Sequence, residues 1–160
     1  REDEVTDEQI EKWVDEAEAG YDVEALKRRG RGRPGRGAEP MQVVAVRLTA
    51  DEIAALDAVA EREHLTRSEA IRRALAIRRV NVHPSALKHG MGAEDAAHAA
   101  HWAQWVEPLE DDDWPHRELR LGFDTRARLL ETIVLVFENG NELVIHAMPA
   151  RKHYLDLCPE

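Results

Sequence analysis

Arg47 stands alone among apolar neighbours in the run Val43-Val44-Ala45-Val46-Arg47-Leu48. Val44, Val46 and Leu48 alternate with Val43, Ala45 and Arg47, the period of a strand buried on one face. A guanidinium on the open face of such a strand has no core role. It offers the planar fork of donors that grips guanine in the DNA major groove. A second concentration of charge lies upstream. Residues 28–36 read RRGRGRPGR, five arginines among glycines and one proline, with no acid. Such a run builds no core and is expected to be disordered when free. Histidines offer different chemistry. His98 and His101 stand three apart on an expected helix, but no cysteine or third ligand lies near them, so no metal and no cofactor is expected.

Two helices must position Arg47. Thr49 and Glu52 have the spacing of a capping box, followed by an apolar stripe at Ile53, Leu56, Val59 and Ala60. Thr66 and Glu69 form a second box, with Ala70, Ile71, Ala74 and Leu75 on the inner face behind it. One strand and two helices are too small to fold alone, and a single strand cannot satisfy its own backbone. Pairing with the same strand of a second copy gives an antiparallel ribbon that fits the major groove.

The residues VAVRLTADEIAALD, the turn at His64-Leu65-Thr66, and RSEAIRRALA resemble the ribbon-helix-helix family of DNA-binding proteins, the CopG/Arc type. The resemblance implies a homodimer on operator DNA that represses transcription. It also implies that Val43, Ala45 and Arg47 face the groove, and that the amides of Thr66, Arg67 and Ser68 clamp a phosphate. A dimerisation module without DNA contact is the plainer reading. Within the basic run, Arg31-Gly32-Arg33-Pro34 resembles the core of an AT-hook, whose extended backbone lies in the narrow minor groove of A·T tracts. The alternative is a flexible linker that touches phosphates without preference. Either adds affinity through counterion release and tethering.

Charge divides the chain. Residues 1–27 hold 11 acids against 3 bases, residues 28–37 hold 5 bases, residues 38–79 balance at 7 and 7, and residues 80–160 hold 14 acids against 7 bases. An acidic whole argues against a general nucleic-acid coat, and a basic patch between acidic blocks argues for local DNA contact. The expected pieces are an acidic helical head (1–27), the arginine-rich linker (28–40), the ribbon-helix-helix unit (41–79) and a C-terminal domain (80–160). In the head, Thr6 caps a helix with apolar positions Ile10, Trp13, Val14 and Ala17, and Gly20 stops it. Tyr21, Val23 and Leu26 continue as a second short piece. So small a pair needs a surface on which Trp13 and Tyr21 can anchor, either on a partner or on the rest of the chain. No membrane span, no signal-peptide core and a single cysteine, Cys158, read as a cytoplasmic protein without an internal disulfide. The chain begins at Arg1 rather than methionine, so it reads as trimmed, a fragment or something joined.

The second half changes character. Val80-Asn81-Val82-His83-Pro84 breaks the helical pattern. A short helix (83–89), a glycine-bounded turn at Gly90-Met91-Gly92 and a longer helix (93–105) are expected next, then an acidic loop (107–113). Three strands follow at 118–123, 129–138 and 141–148. Glu138-Asn139-Gly140-Asn141 is a tight-turn signal that makes the last two a hairpin. The whole reads as α+β: an N-terminal ribbon-helix-helix unit and a small C-terminal domain with an antiparallel sheet.

HPSALKHGMGAEDAAHA and RLLETIVLVFENGNELVIHAMPARKHYL are similar to the BrnT-like toxins of type II toxin–antitoxin pairs, small ribonucleases of RelE-like fold. One departure is clear. That family carries an arginine just after its final strand in a Ser-Ala-Arg pattern, whereas here His146-Ala147-Met148 comes first and arginine only at Arg151. The resemblance implies metal-independent cleavage of RNA. That chemistry needs a base for the 2′-OH proton, cations for the charged transition state and an acid for the leaving oxygen. His146 and His89 are the candidates for proton transfer, and Lys88 and Arg151 for phosphate. Lys152, His153 and Tyr154 would position the RNA. The bland alternatives are a satisfied core histidine at His146 and a helix-terminal cation at His89. Trp102 and Trp105 read as core or interface.

Together the halves read as a toxin–antitoxin pair on one chain, with the acidic head, through Trp13 and Tyr21, masking the cationic site of the toxin. Val80 would suit a toxin beginning at a valine start codon, so the join reads as a natural fusion, an engineered one or two chains run together. The alternatives are a transcription repressor whose C-terminal domain is a non-catalytic sensor or assembly device, and an interaction scaffold with a dead toxin fold.

Overall fold

The computed structural model describes residues 5–38, 43–75, 80–109 and 114–158. The chain divides into two compact units, Arg1–Pro40 with Val80–Glu160, and Met41–Arg79. The segment expected to be the ribbon-helix-helix unit is therefore not N-terminal; it is inserted between two stretches that fold together.

The first unit is built on a six-stranded sheet. Its strands are β1 (Arg33–Pro34), β2 (Val80–Val82), β3 (Ala103–Pro108), β4 (His116–Phe123), β5 (Leu129–Val136) and β6 (Glu142–Pro149), in the order β1-β3-β4-β5-β6-β2. All neighbours are antiparallel except β2, which runs parallel to β6. The β5–β6 turn expected at 138–141 is present, with Gly140 at φ +82. Three expected strands become six because tertiary pairing recruits segments without strand patterning. Ala103–Pro108 continues the alanine-rich helix without a breaker, yet the helix ends at His101 and Trp102 caps it. The expected helix to residue 105 and loop from 107 are thus replaced by β3, which pairs with β4; residues 110–113 lie outside the described ones.

Helices cover both faces. Helix α1 (Asp7–Ala19) starts at Thr6, whose side chain accepts from the Gln9 amide, and ends at Gly20. Helix α2 (Val23–Arg29) is capped by Asp22. Both satisfy the expected head, and the partner on which it anchors is this same chain. Ile10, Val14, Ala17, Val23 and Leu26 form one core with Leu119, Leu121, Ile133, Leu135, Ile145, Tyr154 and Leu157. The opposite face of the sheet packs Leu130, Val134, Val144 and Ala147 against Ala86, Met91 and a helix at Ala93–His101, whose Ala96, Ala99 and Ala100 are buried. Small residues let that helix lie close to the strands. Residues 84–87 form a 3-10 turn rather than the longer helix expected to 89, with His83 as its cap.

The arginine-rich run is ordered, contrary to expectation. Its first two residues finish α2, Gly30 closes it at φ +61, and Arg33–Pro34 adds the edge strand β1 beside β3. Arg33 pairs with Glu118 at 2.8 Å, Arg29 donates to the Leu109 carbonyl at 3.1 Å, and Arg36 meets the His101 ring at 3.0 Å. Gly32 and Gly35 are required there, since an added Cβ would collide with Trp105 and with the Ala103 backbone.

The second unit holds two helices, Ala50–Arg62 (α3) and Arg67–Leu75 (α4); the helix at Ala93–His101 is accordingly α5. Both capping boxes form. Thr49 and Glu52 exchange backbone and side-chain bonds, and the Thr66 amide reaches Glu69 at 2.6 Å while Thr66 Oγ1 accepts from the Glu69 amide. The expected strand at 43–48 forms no ladder within the single chain, because a strand needs a second strand for its backbone groups. Val44 is 78% exposed and Val46 71%. Of the expected inner faces only Ala60 and Ala70 are buried among the described side chains.

Candidate functional site

Strand β5 carries one acid, Glu131, amid LLETIVLV, and it is buried on the side that faces α1. Across the ladder β6 places His146 opposite Ile133, and the register shifts beside this pair. The shift brings Ile145 into the core under the head and leaves His146, fully buried, beside Glu131, with Nε2 at 3.8 Å from Oε1. Neither ring nitrogen of His146 has a hydrogen-bond partner. The turn after the 84–87 segment carries His89 to the same place; its ring meets that of His146 edge-on at 5.3 Å.

Just past β6 the chain bends back. The Arg151 amide donates to Glu131 Oε2 at 2.9 Å, and its guanidinium reaches Oε1 from Nη2 at 2.6 Å and from Nε at 3.0 Å. Burial alone would raise the Glu131 carboxyl, but the neighbouring His146 and the Arg151 bonds outweigh it and hold it below the usual carboxylate range. Arg151 in turn is held firmly charged by Glu131. Its ring neighbour is Tyr154, 5.3 Å away and buried, whose hydroxyl burial pushes up.

The head ends on this cluster. Arg151 donates to the carbonyls of Ala17 at 2.6 Å and Glu18 at 2.9 Å, in the last turn of α1. The Glu18 carboxylate lies 3.3 Å from His89 Nε2, and the Tyr154 hydroxyl accepts from the Tyr21 amide at 2.9 Å. Gly20, at φ +90, lets the chain pass; an added Cβ would sit 3.1 Å from Arg151 Nη1. Farther along α1, Glu16 pairs with Arg117 at 2.9 Å, and that guanidinium lies 5.3 Å from the Trp13 ring centre. Glu131, Glu18 and Arg117 are not among the expected site residues, and Gly20 is expected only as the stop of the helix. For Glu131 the signal was available: a lone carboxylate in the middle of an apolar strand must have a buried partner.

Of the residues expected to act on RNA, His89, His146, Arg151 and Tyr154 converge. His153 is exposed, its ring tilted against Tyr154 at 4.2 Å, and Lys88 is exposed on the turn beside His89. Trp13 and Tyr21 both lie at the head's contact with this domain, Tyr21 at the cluster and Trp13 beside Arg117. His98 bonds the Phe123 carbonyl at 3.0 Å, and His101 meets Arg36 at 3.0 Å.

The second unit supplies the other candidate surface. Arg47 is exposed, as are Val43 and Ala45. Of the three amides expected to meet a phosphate, that of Thr66 donates to Glu69 at 2.6 Å. The Arg67 side chain is turned to Asp57, in two bonds of 2.7 Å.

Residues 42–80 match the model of the ribbon-helix-helix proteins of the copG family. The match supports a ribbon-helix-helix unit in this part of the chain. No curated protein and no solved structure matches the chain. Ribbon-helix-helix proteins bind DNA and commonly dimerise, which supports DNA and a second copy as partners of this unit and a regulator of transcription as its class. Among the described residues no helix is long and apolar enough to cross a membrane.

Proposed function

We propose that the chain is a self-silenced toxin–antitoxin module. Its ribbon-helix-helix unit pairs with that of a second copy, sets Arg47 against base edges of an operator and represses transcription. Its C-terminal α+β domain is a ribonuclease that needs no metal for cleavage, and the acidic head holds it silent. One observation carries this reading. His89, His146, Arg151 and Tyr154, chosen for their chemistry, meet at one place, and that place is where the C-terminal end of α1 sits. With the head in place Arg151 is committed to Glu131 and two carbonyls, so no RNA phosphate reaches it. With α1 gone, Arg151 faces outward to stabilise phosphate charge, and the two imidazoles stand as base and acid. The minor-groove role of Arg31, Gly32, Arg33 and Pro34 requires this segment to leave the sheet edge.

A repressor with a non-catalytic C-terminal domain is favoured by a different detail: Arg151 is fully used in holding Glu131 and the helix end, as a structural clasp would be. Growth of cells expressing residues 80–160, with and without residues 1–40 in trans, separates the two. Arrest by the fragment, relieved by the head and absent with His146→Ala, is the expected result. Harmless expression of a soluble, folded fragment would favour the repressor.

A further inference from the structure

Glu18, His89 and His146 each bring one ligand atom to within 4.8 Å of the other two. We infer that these three residues form a site for a divalent transition metal, zinc above all, which staples the head to the C-terminal domain. Two independent features point to a ligand there. The first is the donor set: two imidazoles and one carboxylate, the nitrogen and oxygen donors that zinc takes, from three separate segments. The second is His146. Its side chain is completely buried, yet both ring nitrogens lack a hydrogen-bond partner. A buried imidazole left so is costly unless something else occupies it.

The geometry can close. Tetrahedral zinc with ligands at about 2.0–2.1 Å holds its ligand atoms about 3.3 Å apart. Glu18 and His89 already stand at 3.3 Å. Both are on the exposed rim, so their side chains can turn the remaining ångström or so toward the fixed His146. Glu131, 3.8 Å from His146 Nε2, adds a carboxylate charge beside the site without hydrogen-bonding the ring. A water completes the shell.

The consequence is regulatory. Glu18 belongs to α1, whereas His89 and His146 belong to the domain beneath it. The metal therefore binds only the docked head and strengthens docking by mass action. It would also occupy the two imidazoles assigned to proton transfer, so bound metal and cleavage exclude each other. The site itself stands whether or not the domain cuts RNA.

The test uses the full chain, freed of metal by chelation, with Zn²⁺ titrated by calorimetry and Co²⁺ followed by its visible absorption. One equivalent bound, a tetrahedral cobalt spectrum and a raised melting temperature are expected. His89→Ala and Glu18→Gln change only rim side chains, and each should weaken binding at least about tenfold, the lower end of what losing even an outer neighbour costs. His64→Asn, in the other unit, should bind like the parent. Binding retained in either His89→Ala or Glu18→Gln, or no binding of Zn²⁺ by the parent at micromolar concentration, would overturn the site.

Discussion

The two units are opposite answers to the same shortage of core. In the first, strands β4, β5 and β6 present an apolar face on each side, and the chain covers both itself. The α5 helix and the 84–87 turn take one face, and the acidic head takes the other. In the second, α3 and α4 bury only Ala60 and Ala70 among their described side chains, while Val44, Val46 and Leu48 stand exposed. The first unit is complete as a single chain because a remote segment supplies its missing layer. The second leaves its apolar side chains uncovered in the single chain, the surface that the proposed pairing with another copy would cover. The proposed dimerisation of the inserted unit and the docking of the head thus have the same physical origin: apolar surface left over after local folding.

Removing the head should have the largest effect. A chain lacking residues 1–38 uncovers Leu119, Leu121, Ile133, Leu135 and Ile145, so it should still fold but melt at a lower temperature and less cooperatively than the parent. A peptide of residues 5–38 should restore both in a circular dichroism melt. A truncated chain that is fully soluble and melts like the parent would break the comparison. Next comes Arg151→Ala, which strands the buried Glu131 carboxylate and frees the α1 carbonyls. A loss of about 3 kcal/mol in denaturant unfolding is expected.

The same pair predicts a pH dependence. The Glu131 carboxyl is depressed in the folded state, so its stabilisation is present above the ordinary carboxylate value, about 4.3, and is lost as pH falls through the lower folded value. Glu131→Gln should flatten that acid limb, seen as a smaller change in melting temperature between pH 6 and pH 3.

For the second unit, Arg47→Ala should weaken operator binding by about 1–3 kcal/mol, between roughly fivefold and a hundredfold, while leaving the proposed dimer intact in sedimentation. Equal binding by parent and variant would mean the strand faces the groove in the other register. The smallest effect is expected at Gly20. Gly20→Ala strains the left-handed backbone and crowds Arg151, and about 1 kcal/mol of stability should be lost in the first unit with no effect on DNA binding.

What was legible in the sequence follows the range of the interactions. Thr6, Thr49 and Thr66 cap their helices through neighbours three residues away, and Asn139-Gly140 turns the β5–β6 hairpin, so both were readable locally. Ala103–Pro108 and Arg33–Pro34 were not, because each becomes a strand only through pairing with residues far away. The arginine run looked unstructured for the same reason: its partners Glu118, Leu109 and His101 are distant in sequence. At the candidate site, His89, His146, Arg151 and Tyr154 were found by their chemical type. Glu131 stands out as a lone carboxylate on an apolar strand, but its partner Arg151 is distant in sequence, and Glu18 and Gly20 matter only because α1 ends on Arg151.

The most direct measurement is RNA cleavage by purified residues 80–160, refolded with and without a peptide of residues 1–40. Cleavage by the fragment, suppressed by one equivalent of the peptide and absent in His146→Ala, is the predicted result. A folded fragment that leaves RNA intact, or one whose cleavage the peptide does not slow, would contradict the account.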